Sequence, residues 1–190
     1  LMLRPEQPEM EGLLALMLLT DARRAARTGR SGATVPPADQ DRSLWHRTKE
    51  AEGRQLLETA LRRKRVGPFQ VKAAISACQM AEPAPDWPQI LQLYTVLLTL
   101  EPTPVVRVNH AVALAETGHL AAALAVLDDL RLTLANFQPF HAACAAVSAK
   151  AGDLQAAQKA YARAIELSTN DSDRRFLSDQ LQRLVSKPVA

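Results

Sequence analysis

The sequence predicts an all-α protein: antiparallel helix pairs forming a short solenoid of the tetratricopeptide type, preceded by a helical hairpin. Three observations carry this. Residues 111–127 return as residues 145–161, so that a small residue, a turn glycine, a leucine, an alanine and a large apolar residue recur 34 positions later. That is the period of a two-helix repeat. A further step of 34 positions back reaches Ala77, and Leu93 then answers Leu127, giving a degenerate third unit over about residues 70–102. Finally, alanine and leucine dominate a chain that is 47% hydrophobic, and β-branched residues come mostly singly, which favours helix.

Each element has a local reason. Pro8 and Glu9 open a first helix, with proline in the first turn and acid beside the positive end. Residues 12–19 are apolar on nearly every side, so this helix must be covered on more than one face. It turns basic over residues 21–27 and ends in the stretch 28–32. A proline-rich linker follows, placed at about residues 28–40. The second helix is expected to begin within residues 39–45, capped by Asp39 or Asp41, and to end at the basic run 62–65. A third helix starts at Gly67 and Pro68. Asp86 caps a fourth, in which Ile90, Leu91, Leu93, Tyr94, Leu97 and Leu98 face inward. Pro102 and Pro104 precede the fifth. Gly118 and Gly152 supply the positive φ that ends the first helix of each paired repeat. Residues 170–173 cap a last, polar-faced helix that closes the array. The domain expectation is therefore a hairpin region over residues 1–66 and repeats over residues 67–190.

Composition excludes several functions. Aromatics are 4%, too few for a base-stacking platform. The net charge of +3 is too little on its own to argue for DNA, although residues 1–65 hold 13 basic and 9 acidic side chains. The run Arg62, Arg63, Lys64, Arg65 reads either as a nucleic-acid patch or as a solvated last turn favoured by the helix dipole. His46, His110, His119 and His141 form no metal-ligand spacing, no phosphate-binding glycine loop occurs, and no serine has a nucleophile's context. Cys78 and Cys144 read as buried, reduced thiols. The expectation is thus no enzyme, no cofactor and no metal. The longest apolar run is far short of a membrane span, and no signal peptide is seen, so the expected location is the cytoplasm. The chain opens on Leu1, as a fragment of a longer protein would.

Two groups of residues are candidates for interaction. Asp21, Arg23, Arg24, Asp41, Arg42 and Trp45 flank the apolar helix; arginines there bury their stems and pair with Asp21 or Asp41, and Trp45 is the large aromatic available to seal the contact. Arg107 and Asn109 lie on the first helix of the middle repeat, the helix that lines the concave face. Asn109 reads either as a groove contact or as a partner for a neighbouring backbone.

Specific stretches run through the chain. They are Pro8, Glu9 and Gly12 leading into residues 13–19 and 21–27; residues 40–45 with Glu52 and Gly53; residues 67–70 with 73–75; Asp86, Trp87, Leu93 and Tyr94; residues 104–113 around Asn109; and residues 174–177. Together they resemble the C-terminal extension of a subgroup of bacterial sigma-70-family factors of the extracytoplasmic-function type. His110 and Cys144 stand where that pattern has arginine, and Phe69 where it has tyrosine. The resemblance implies a role in transcription initiation with core RNA polymerase. The partners it implies are sigma regions 2 and 4 of the full-length protein, with promoter DNA contacted only through those regions, neither of which this chain holds. The alternative is a free-standing, tetratricopeptide-like peptide-binding scaffold unrelated to transcription.

Overall fold

The computed structural model describes residues 7–29 and 32–186. Nine α-helices are present among the described residues and no β-strand, the pairing of extended backbone being limited to an isolated bridge between Thr28 and Thr34. The helices are α1 Pro8–Ala22, α2 Arg47–Arg62, α3 Pro68–Gln79, α4 Trp87–Leu100, α5 Pro104–Glu116, α6 Leu120–Asp129, α7 Gln138–Lys150, α8 Leu154–Glu166 and α9 Asp171–Ser186. The all-α expectation holds, with neighbouring helices packed in pairs. The chain divides into two compact units, one holding the described residues up to Arg27 with Val35–Pro102, the other Thr28–Thr34 with the chain from Thr103 onward.

In the first unit α1 packs against both α2 and α3, as its apolar sequence requires. Two glycines set the spacing. A Cβ on Gly12 would stand 2.7 Å from the Gln70 side chain and 2.8 Å from its backbone nitrogen; one on Gly53 would stand 2.9 Å from Leu19. Ala15, Leu19, Ala22, Trp45, Leu57, Ala73 and Met80 form the core between these helices. Of the expected region of residues 1–66, the part outside Thr28–Thr34 lies in this unit together with α3 and α4.

Two boundaries differ from expectation. The first helix does not run to residue 27: it stops at Ala22, and Arg24–Ala26 forms a 3-10 turn. The second helix does not begin within residues 39–45. Those residues make 3-10 turns at Pro37–Asp39 and Arg42–Leu44, and α2 starts at Arg47 with His46 at its cap. The cause is the end of α1. The His46 N–H donates to the Ala22 carbonyl at 2.9 Å, so this stretch closes α1 before opening α2. Trp45 stays extended, with its ring in the core. Asp41 still caps, but it caps the short turn, accepting from the Ser43 N–H and hydroxyl. Of the terminating stretch 28–32, Arg30 and Ser31 lie outside the described residues.

Asp86 caps α4 as expected, accepting from the Gln89 N–H. Ile90 and Leu97 of that helix are buried, while Leu91, Leu93, Tyr94 and Leu98 are half-buried. Burial pushes the Tyr94 phenol up to about 12. Lys72 of α3 pairs with Glu101 just past α4 at 2.6 Å.

The second unit carries the repeat. Helices α5 and α7 start 34 residues apart, as do α6 and α8. Ala111, Ala123, Ala145, Ala157 and Ala164 are fully buried, which brings the backbones of paired helices close. Gly118 and Gly152 have φ of 88° and 84°, one at each equivalent turn. Glu116 and Lys150 occupy the same repeat position, the last residues of α5 and α7, and pair at 2.6 Å. The α9 start is capped by Asn170, whose side-chain oxygen accepts from the Asp173 N–H; Leu177 buries the inner face. Thr34, of the segment grouped with this unit, donates its hydroxyl to Asp173 at 2.7 Å.

Open space surrounds both turn glycines, so a methyl group there meets nothing and only backbone conformation opposes it. Gly118→Ala and Gly152→Ala should each lower stability by about 1–2 kcal/mol, the penalty of a left-handed L-residue. In urea melts the midpoint should fall with an unchanged slope.

Candidate functional site

Helix α3 is gripped at both ends by the segment that precedes it. At its start Gly67 offers no side-chain cap. The Glu9 carboxylate arrives from α1 instead, accepting from the Phe69 N–H at 3.0 Å and the Gln70 N–H at 3.1 Å. It also accepts from the Gln70 amide, which donates further to the Arg65 carbonyl. A carboxylate on exposed helix-start donors is favoured by both hydrogen bonding and the helix dipole. Gly67 leaves room for it, since a Cβ there would stand 2.2 Å from the Glu9 carboxyl carbon.

At the far end of α3 three arginines converge. Arg42 donates to the carbonyls of Ala81 at 2.9 Å and Pro83 at 3.3 Å and stands 3.6 Å from Glu82. Arg54 reaches the carbonyls of Ala77 and Met80 while pairing with Glu50. Arg23 is 6% exposed and bonds the Gln79 amide oxygen at 3.2 Å. Burial, with Arg27 nearby, lowers the Arg23 pKa to about 10, which leaves it charged at neutral pH. Trp45 is 4% exposed, with the guanidinium of Arg42 5.1 Å from its ring centre and that of Arg47 5.8 Å away.

The structure thus brings Arg23, Arg42 and Trp45 together, at a joint between the hairpin and the turn after α3. Asp21 and Arg24 stand apart from it. Asp21 binds Lys49 at 2.5 Å, and Arg24, its side chain 84% exposed, lies 3.6 Å from Asp21. The Lys49 hydrogen bond and charge hold the Asp21 carboxyl below the usual range. Asp41 is exposed and held low by its Ser43 hydrogen bonds; among the described residues it pairs with no arginine. Arg54, Gln79 and Glu9 were missed as site residues. Arg54 lies on the expected second helix with nothing local to mark it, whereas Glu9 and Gln70 belong to the stretches that carry the resemblance.

Arg107 and Asn109 lie in the second unit. Arg107 pairs with Asp129 across α5 and α6 at 2.5 Å, and Asn109 is exposed. In the basic run, Arg62 pairs with Glu58 on the same helix and Arg63 with Glu11 of α1.

The repeat unit has a groove of about 700 Å³. Neither Arg107 nor Asn109 lines it. One wall is Leu124, Leu127 and Asp128 of α6, continued by Arg131 in the turn after it; the other is Ala156, Lys159, Ala160 and Arg163, at the i, i+3, i+4, i+7 spacing of one face of α8. Phe140, His141 and Cys144 of α7 form the floor. Burial pushes the Cys144 thiol up to about 11, so it is a neutral, apolar surface there. Among the described residues no group of three or more His, Cys, Asp or Glu side chains is placed to hold a metal, and no helix is long and apolar enough to cross a membrane.

Residues 1–61 match a family of unknown function (DUF6596). The matched span takes in α1, the turns after it and nearly all of α2. Over 192 aligned residues, the whole of this chain, it is 38% identical to an uncharacterized protein of Rhizobium meliloti (strain 1021). The chain spans 45% of that relative's length. No solved structure matches the chain.

Glu9→Ala would strip the cap from α3 and leave the Gln70 amide, which is fully buried, short of a partner; a loss of about 1–3 kcal/mol is expected. Trp45→Ala should cost about 3–5 kcal/mol. Arg24→Ala should stay within about 0.5 kcal/mol of wild type, its ion pair being exposed. Thermal and urea melts of the four proteins read these directly. Acid titration gives a further check. A carboxyl lowered in the fold stabilises above its unfolded value and loses that contribution as pH falls through the lowered one. Asp21→Asn should therefore flatten the stability profile below about pH 4 and leave its shape above unchanged.

Proposed function

We propose that this chain is the regulatory protein-interaction module of a bacterial sigma factor of the extracytoplasmic-function type. It acts in the cytoplasm in transcription initiation with core RNA polymerase, and docks through the outer face of α1 on the promoter-reading regions 2 and 4 of the full-length protein. The observation that carries the docking is on α1. That helix is covered by α2 and α3 on two sides. Met10, Leu13, Leu14 and Met17 recur at i, i+3, i+4 and i+7 on the remaining side, away from Ala15 and Leu19. Met10 is 39% and Met17 59% exposed, and the stripe runs toward the exposed Arg24. This lies inside the span matched by the family and inside the stretch that most specifically resembles the sigma extension. The meeting of Glu9 and Gly12 with Gly67 and Gln70 is a second support, because these are residues on which the resemblance rests. The relative's remaining length, over half of it, leaves room for two further domains in that protein.

The groove of the repeat unit favours a second reading, a peptide-binding scaffold independent of transcription. The two separate on the full-length protein that contains this chain. With core RNA polymerase it should co-purify and support promoter-dependent run-off transcription. Met17→Glu and Arg24→Glu should each reduce that output about tenfold or more, with the melting temperature unchanged, because both side chains are exposed. Failure to bind core polymerase removes the sigma reading. Binding with full activity in both variants removes the docking face on α1.

A further inference from the structure

We propose that the groove formed by α6, α7 and α8 binds an acidic amphipathic helical segment of a protein partner. The inference rests on the scaffold reading of the repeat unit and not on the sigma assignment. Shape is the first argument. Both walls are built on helix faces, of α6 and α8, and Phe140 and Cys144 make the floor largely apolar, the arrangement into which a third helix lays its own apolar stripe. The volume of about 700 Å³ exceeds what one side chain fills and lies within the range of specific binding sites.

Charge selects the occupant. The groove's two acids are already engaged: Asp128 with Arg131, and Asp153 as the cap of α8, accepting from the Ala156 N–H. Its bases outnumber them. Arg163 pairs with Glu166 and donates to Asn136 in the α6–α7 turn, where Arg131, paired with Asp128, also stands, so both guanidiniums sit at one end of the groove with acids beside them. Lys159, one helical turn before Arg163 on the same wall, is exposed, and no acid of the groove is paired with it. An acidic residue on the occupant therefore meets Lys159, which no acid of the groove holds, while a basic one meets repulsion there.

The probe is a phage-displayed library of random peptides about 16 residues long, some 24 Å of helix, panned on the full chain. Enriched sequences are then made as fluorescein-labelled peptides and titrated by anisotropy. Lys159→Glu and Ala125→Trp serve as controls. Both positions are exposed and line the groove, so the first reverses its charge and the second obstructs it without disturbing the core. The expected result is enrichment of net-acidic peptides with apolar residues at helical spacing. Their affinity should weaken at least about tenfold with Lys159→Glu, weaken again with salt, and vanish with Ala125→Trp. Enrichment of neutral or basic peptides overturns the charge assignment. Enriched peptides indifferent to both substitutions overturn the groove and leave a scaffold that binds elsewhere. No enrichment at all removes the groove proposal and the scaffold reading together.

Discussion

The first unit depends on the electrostatic grip on α3. A helix of twelve residues exposes unpaired donors at one end and unpaired acceptors at the other, with a dipole that favours anions at the first and cations at the second. Here the start has no cap of its own, and at the far end the N–H groups of Met80, Ala81 and Asp86 reach only the Ala77 and Cys78 carbonyls. A carboxylate from α1 takes the donors, and guanidiniums from the turns after α1 and from α2 bind the Ala77 carbonyl and those of Met80, Ala81 and Pro83 just past the helix. Each contact is worth a kcal/mol or so. Acting at opposite ends of one rigid element they fix its axis and rotation, which no single contact does. Hydrophobic burial between α1 and α3 supplies the bulk of the energy but is tolerant of sliding. The charged ends are not.

Close approach is the geometric condition for that grip. Gly12 lets the start of α3 come against α1, and Gly67 lets the Glu9 carboxylate in. Gly53 does the same for α2 against α1. These glycines are conspicuous because two of them sit where helix propensity disfavours them, Gly12 and Gly53 being inside helices. Trp45 then closes the opposite end, its face covered by the same arginine that binds the end of α3.

The periodic part of the fold was legible and the joint only partly so. The spacing of Ala77, Ala111 and Ala145 located three buried small residues, and Gly118 and Gly152 announced their turns, because repeat contacts are local and recur. Asp86 could be read as a cap for the same reason. The start of α2 was misread because Asp39 and Asp41 are good capping residues, and Asp41 does cap; what it caps is a three-residue turn, since the chain must first close the end of α1 through His46. Arg23, Arg42 and Trp45 were recognisable as a group from the apolar helix beside them. Their partners were not, because Gln79, Ala81 and Pro83 lie far along the chain and offer mostly backbone atoms. A groove in the repeats was expected, but lined by Arg107 and Asn109; the one present lies elsewhere because its walls are ordinary helix faces that only packing makes concave.

The ion pair between Glu116 and Lys150 gives the array an address. The two residues are copies of one repeat position, yet they carry opposite signs, so each first helix is matched to its neighbour and mismatched to itself. A duplicated α7–α8 unit would set lysine against lysine, and a duplicated α5–α6 unit glutamate against glutamate. Tandem genes gain and lose such units easily, and nascent chains can pair them out of order. Here either event replaces an attraction with a repulsion of similar size. The order of the α5–α6 and α7–α8 units is thus marked by one ion pair, which discriminates against their exchange more than it strengthens the native state.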